Sequence, residues 1–291
     1  MPDNSRVLNR VFTRKVIIDL LKNGSNEVFD CVVRRYIDDP ECKTHGEIIS
    51  EIYSLLSKEK RNEYFYINTL LNKLLVGIHN VNTTTILSMI PDAQSVADIV
   101  MINGDGNVYV MEVKSELDNF DRLYNQISNY FLAFNKVSLL SSIHEIERAK
   151  QILSGFGNMG DAVGIYVLSD RGTIFNKKLS REPKQFSERL SHVCIFKLMR
   201  KNEYESVIND YYEKLPLVAP AFYFRACLDQ FMKIPIDIAQ SMTFNQLKKR
   251  NKIEKAAFEG IQRELKSVVY FSEISNMIPT LERFLHTRYR R

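Results

Sequence analysis

ADIVMINGDGNVYVMEVKSELDNFDRLYNQISNYFLAF, residues 97–134, decides the fold. ADIVMI (97–102) is a short apolar run, Asn103-Gly104-Asp105-Gly106 is a strong turn signal, and the valine-rich VYVMEVK (108–114) has strand character. From Asp121 to Phe134 the apolar positions Leu123, Ile127, Tyr130, Phe131 and Phe134 fall at helical spacing. Outward from this stretch, a helix is expected over Ser142–Leu153, a strand over VGIYVL (163–168) and a last strand over VCIFKL (193–198). Strand, strand, helix, strand implies an α/β core, a mixed sheet with helices packed on it. Upstream, VFTRKVIIDLLKNG has helical periodicity, Thr44-His45-Gly46-Glu47 has the form of a capping box, and a helix is expected over Tyr64–Leu75 with Gly77 just past its end. The chain thus divides into a helical region (1–60), an α/β core (61–200) and a helical, basic C-terminal region (201–291).

The 291 residues are 45% hydrophobic and 26% charged, which excludes wholesale disorder. Cys31, Cys42, Cys194 and Cys227 show no CxxC spacing and form no disulfide framework. MPDNSRVLNR lacks the apolar run of a signal peptide, and Leu215–Phe224 is too short to span a bilayer. The expectation is a cytoplasmic protein with no membrane partner. The net charge is +5, and its excess lies in the tail: residues 245–291 hold eleven Lys or Arg against five Glu, with Lys248, Lys249 and Arg250 in one run. Such a run is either a solvated helix face or a nucleic-acid contact. Gly155–Gly160 spells GxGxxG but precedes a strand instead of following one, so it is no dinucleotide site. The five histidines have no zinc-binding spacing.

The chemistry concentrates at Asp98, Glu112 and Lys114. Positions 112 and 114 are two apart and share one face of a strand. A two-residue loop at Gly104-Asp105 would put Asp98 opposite Met111. A three-residue loop, Gly104 to Gly106, pairs Asn103 with Asn107 and puts Asp98 opposite Glu112; it needs a left-handed residue at its end, which Gly106 supplies. Two carboxylates and a lysine beside Val108 and Val110 make either a salt bridge or a site for a hard divalent cation such as Mg²⁺. Arg122, one turn before Gln126 on the same helix, is within reach of a salt bridge to Asp118.

Asp98 followed by Glu112-Val113-Lys114 resembles the D…ExK signature of the PD-(D/E)XK nuclease superfamily, and Gln126–Tyr130 resembles the QxxxY of its branch containing RecB-type nucleases and phage exonucleases. Residues 45–170 also resemble a bacterial family named after a myxobacterial locus tag, whose pattern AD…EIKSxxDxxxRLxxQ falls on Ala97-Asp98, Glu112–Ser115, Asp118, Arg122-Leu123 and Gln126. The proline of the signature is missing: Ala97 precedes Asp98. Pro91-Asp92 is a literal Pro-Asp, but no strand-like run follows it, so Asp98 is preferred.

The resemblance implies a restriction-endonuclease-like core and a Mg²⁺-dependent nuclease, with Mn²⁺ as the alternative ion. Asp98, Glu112 and the Val113 carbonyl would hold the metal, and Lys114 would position water. Gln126 would sit beside the site, and Tyr130 would help hold metal, lysine or DNA. Glu63 stands where the superfamily often adds an acid, with Glu51 behind it. Arg122 and the Lys248–Arg250 run would meet phosphates. DNA is expected ahead of RNA, two subunits commonly pair in such enzymes, and phage defence and DNA processing are among their settings. The rival readings are a catalytically silent nucleic-acid-binding module and an interaction protein whose 97–130 segment merely mimics the signature.

Overall fold

The computed structural model describes residues 5–58, 61–78, 81–174, 179–250, 253–272 and 274–290. Its strands are Thr85–Asp92 (β1), Ser95–Ile102 (β2), Val108–Lys114 (β3), Val137–Ser142 (β4) and Gly164–Leu168 (β5), lying in that order in one sheet. β1, β2 and β3 pair antiparallel, and β3, β4 and β5 pair parallel. Before the sheet come Ser5–Asn9 (α1), Arg14–Asn23 (α2), Glu27–Tyr36 (α3), His45–Lys58 (α4) and Glu63–Asn72 (α5). Leu123–Tyr130 (α6) links β3 to β4; Ile146–Ser154 (α7) and Asn158–Ala162 (α8) link β4 to β5. After the sheet follow His192–Lys197 (α9), Lys201–Tyr212 (α10), Pro220–Phe231 (α11), Ile236–Lys248 (α12), Lys255–Gly260 (α13), Lys266–Phe271 (α14) and Ile278–His286 (α15). This is an α/β fold, a mixed sheet with helical extensions. No helix among the described residues is long and apolar enough to cross a membrane.

Strand alternation sends side chains to two cores. Ile99, Met111, Val113 and Leu140 pack with α2–α5 and α13–α15. Val100, Val108, Val110 and Leu139 pack with α6, α7 and α9–α12. The two ends of the chain share the first core: the His45 N–H donates to Thr287 O at 3.0 Å and the Tyr289 N–H to Lys43 O at 3.0 Å. The expected capping box starts α4, with the Thr44 N–H donating to Glu47 Oε2 at 2.7 Å and the Glu47 N–H to Thr44 Oγ1 at 3.2 Å.

Three expectations change. Residues 193–198, expected as a strand, lie in α9 and the turn that follows it: Ile195, Phe196 and Met199 are buried at helical spacing, a pattern that so short a run does not separate from a strand. Gly77 does not follow a helix end, because α5 continues through a π turn over Lys73–Ile78. Pro91-Asp92 belongs to a strand after all, at the end of β1; an edge strand tolerates proline because one row of its N–H groups lacks a ladder partner. β4, with its three serines, has little strand composition and is a strand because both faces of the sheet are covered.

Asp92 is only 2% exposed, and neither carboxyl oxygen has a hydrogen-bond partner among the described residues. Burial pushes its pKa up to about 8, against roughly 3.9 in an unfolded chain. The folded state therefore binds the proton more tightly. Its stabilising effect is complete below about pH 4 and is lost as pH rises towards 8. Asp92→Asn should gain on the wild type as pH rises from 5 to 8, reaching a few kcal/mol by urea unfolding; parallel stability curves would contradict this account.

Candidate active site

The β2–β3 turn sets the site. The Asn103 N–H donates to Asn107 O at 2.9 Å, Gly106 has φ +83°, and Asp105 receives both the backbone and side-chain N–H groups of Asn107. The loop is therefore Gly104–Gly106, the three-residue alternative. Ile99 pairs with Met111 and Val100 with Val110, so the register brings Asp98 opposite Glu112 on the α6 side of the sheet. There the ladder stops, and the Val113 N–H donates to Asp98 Oδ2 at 2.8 Å instead of to a β2 carbonyl. Because the N–H and C=O of one strand residue point to the same neighbour, the Val113 carbonyl faces the same opening.

Glu112 is the centre. It is 1% exposed, and Lys114 is 5% exposed. Lys114 Nζ donates to Glu112 Oε1 at 2.7 Å and to Gln126 Oε1 at 2.8 Å. Gln126 Nε2 returns to Glu112 Oε1 at 2.5 Å, and the Tyr130 hydroxyl donates to Glu112 Oε2 at 2.5 Å. Gln126 and Tyr130 are one helical turn apart, so α6 presents both to the same carboxylate. Burying a carboxylate is costly unless donors surround it, and this one has three.

Burial, and then repulsion from Glu112, push Asp98 up to about 8, against the Val113 N–H bond. Glu63, first in α5, is exposed to solvent, but surrounding protein raises its carboxyl, followed by repulsion from Asp118 and Glu112. It thus joins the acids around the site. The Tyr130 hydroxyl is held far above its ordinary value by burial and by Glu112.

A cleft of about 510 Å³ opens beside Asp98, lined by Ser95, Arg122, Gln126 and Asn129 among others. Arg122 has no ion-pair partner among the described residues; Asp118 instead accepts from the Ser115 N–H and hydroxyl. Asn129 Nδ2 donates to Ser95 Oγ at 2.7 Å and ties α6 to β2. The sequence reading passed over this pair, although Asn129 lies three residues after Gln126 and so shares its helix face.

Two expected nucleic-acid contacts need correction. Tyr130 is 0% exposed, so it reaches no ligand and acts on Glu112 and the Val96 carbonyl. Arg250 is engaged within the protein, bonding Glu203 Oε1 at 2.7 Å and the Leu198 carbonyl at 2.7 Å. Lys248 lines a hollow at Asn103–Gly106, the far end of the hairpin, five residues or roughly 17 Å of strand from Asp98. Lys249 bonds Gln246 at 3.0 Å. Asn251, Lys252 and Arg291 of the basic tail lie outside the described residues.

No group of three or more His, Cys, Asp or Glu among the described residues is placed to hold a metal ion. Asp98 and Glu112 offer two carboxylates, and Asp98 Oδ1 has no bond among the described residues. Two repelling carboxylates with one lysine to balance them, beside an open cleft, suit Mg²⁺, which takes one or two carboxylates and keeps its waters.

The family model described as bacteriophage P4 protein cII matches residues 56–270, and the chain belongs to that family. The matched span holds the whole sheet and every residue of the site, and the description names a protein and no activity. No curated protein and no solved structure gave a match.

Breaking one partner of a buried pair leaves an uncompensated charge and costs about 3–5 kcal/mol. Lys114→Met and Glu112→Gln should each destabilise on that order. The double variant should recover at least about 1 kcal/mol relative to their sum. Additive losses by urea unfolding would show that the pair is not coupled.

Proposed function

We propose that this chain is a Mg²⁺-dependent nuclease that hydrolyses phosphodiester bonds in DNA, on a core of PD-(D/E)XK type. The observation that carries the reading is the convergence of four side chains from three elements on one carboxylate: Asp98 opposite Glu112, Lys114 bonded to it, and Gln126 and Tyr130 reaching it from α6. A salt bridge built only for stability needs neither Asp98 nor an adjoining polar cleft.

Asp98, Glu112 and the Val113 carbonyl would hold the ion, which when bound polarises a phosphodiester and lowers the pKa of water. Lys114, kept in place by Gln126, holds the attacking water by hydrogen bonding and offsets phosphate charge. Tyr130 fixes the rotamer of Glu112 from the dry side, and Arg122 meets a phosphate at the cleft. Glu63 adds negative charge on the solvent side. The full engagement of Glu112 also favours a second reading, a nucleic-acid-binding module without turnover.

The test is cleavage of linear, circular and single-stranded DNA, and of RNA, in Mg²⁺, Mn²⁺ or EDTA. Glu112→Gln and Lys114→Ala should lower the metal-dependent rate at least about 100-fold per folded molecule, the folded fraction of each variant being measured by circular dichroism at the assay temperature. Binding without cleavage in either metal would favour the silent module. Cleavage that persists in Glu112→Gln would sink the assignment of the site.

A further inference from the structure

We propose that a second groove, between the end of α4, the start of α5 and the 169–172 turn, binds single-stranded nucleic acid through its phosphates. The groove has a volume of about 600 Å³. Lys58, Arg171 and Arg263 line it, all three exposed, and none has an ion-pair partner among the described residues. Two acids, Asp170 and Glu264, stand at its wall against these three cations and Arg61; Asp170 is bonded to His144 Nε2 at 2.8 Å. The cations are thus in excess, and the desolvation cost of bringing a phosphate to them is low because they are not buried.

The groove is built, not incidental. The Arg61 guanidinium, buried in its wall, donates to the carbonyls of Ser169 and Asp170 and so ties the turn that carries Arg171 to the start of α5. Asn68 and Asn72 both donate to the Arg263 carbonyl, at 3.0 and 3.1 Å, and anchor the third cation. The lining also holds Tyr53, partly exposed, which stacks on the buried Phe65 with centroids 5.4 Å apart, and the Arg61 guanidinium lies over the Phe65 ring at 5.3 Å. Solvated cations beside one partly exposed tyrosine hold a strand chiefly by its phosphates, without reading sequence, and leave Tyr53 to contact a base. A space of about 600 Å³ takes a short run of nucleotides.

Its position connects it to the candidate active site. Arg61 belongs to the groove wall, while Glu63, two residues on, is coupled electrostatically to Glu112 and Asp118. The Arg61 N–H also donates to Glu116 Oε2 at 3.3 Å, which ties the groove wall to the segment that follows Lys114. The proposal rests on the nuclease reading for this connection, although the binding itself is measurable without it.

The test is fluorescence anisotropy of a labelled single-stranded DNA of about 20 nucleotides in EDTA, which removes cleavage. The wild type is compared with Lys58→Glu/Arg171→Glu/Arg263→Glu and the milder Lys58→Gln/Arg171→Gln/Arg263→Gln, both checked by thermal melting. The charge-reversed variant should bind at least about tenfold more weakly at low salt. The slope of log affinity against log salt should become shallower by about 2, from three phosphate contacts at roughly 0.7 each. Duplex of the same sequence and inorganic pyrophosphate are the further arms. Unchanged affinity and slope in both folded variants overturns the proposal, as does loss of pyrophosphate or duplex binding with single-strand binding intact. Groove-dependent binding without cleavage by the wild type would sink the nuclease reading alone; groove-independent binding with cleavage would sink this proposal alone.

Discussion

The three-residue turn at Gly104–Gly106 determines which side chains share the face of β2 and β3. Because side chains alternate along a strand, a slip of one residue would bring Met111 opposite Asp98 and send Glu112 and Lys114 to the face covered by α5. The turn holds its register through a left-handed Gly106 and through Asp105, whose carboxylate collects both N–H groups of Asn107. Nothing lies within 4 Å of where a Cβ on Gly106 would sit, so the glycine is there for its backbone conformation and not for space. The charged cluster at the other end of the hairpin follows from that local geometry.

Charge burial then dictates where α6 must lie. Glu112 and Lys114 face an apolar layer that includes Val108 and Val110, where a lone carboxylate would lose its charge. Lys114 satisfies part of one oxygen, and the remaining acceptors need donors from outside the sheet. Gln126 and Tyr130 supply them, and Asn129 on the same helix reaches back to Ser95. The sheet needs α6 for solvation as much as for apolar cover. That shared need explains why Gln126 and Asn129 bond to the sheet at the wall of the cleft, which Arg122 and Asn125 line beside them.

The strands whose signals are local were legible. β2, β3 and β5 are apolar runs bounded by turns, and the convergence of Asp98, Glu112 and Lys114 required only the turn length. What could not be read depended on the rest of the fold. β1 ends in Pro-Asp and pairs on one side only, so its composition is compromised at the point where it matters. β4 is held by pairing on both sides, which lets serines stand where branched residues are the rule. Residues 193–198 carry strand-like composition but adopt a helix because Ile195, Phe196 and Met199 meet the second core on one helical face. Tyr130 was legible as part of a motif, yet its role was not: whether a tyrosine meets solvent or a buried carboxylate depends on how the helix is rolled.

The placement of cations carries the same lesson further. Eleven Lys or Arg in residues 245–291 suggest a basic face, but a sequence run says nothing of what each side chain meets. Arg250 closes on Glu203 and Leu198, Lys249 on Gln246, and Lys266 donates to the Phe258 carbonyl at 2.7 Å. The Arg250 and Lys266 bonds tie separate segments together, whereas the Lys249 bond is local to the end of α12. Lys58, Arg171 and Arg263 come from three distant parts of the chain, and no run of sequence joins them. They stay solvated: α4, the 169–172 turn and the segment before α14 bring them together beside Asp170 and Glu264, and none of the three pairs with an acid among the described residues. Arg263 belongs to the same tail as Lys249, Arg250 and Lys266, yet it meets Lys58 and Arg171 only in the folded state, so the position of a cation in the sequence does not tell whether it is engaged or solvated.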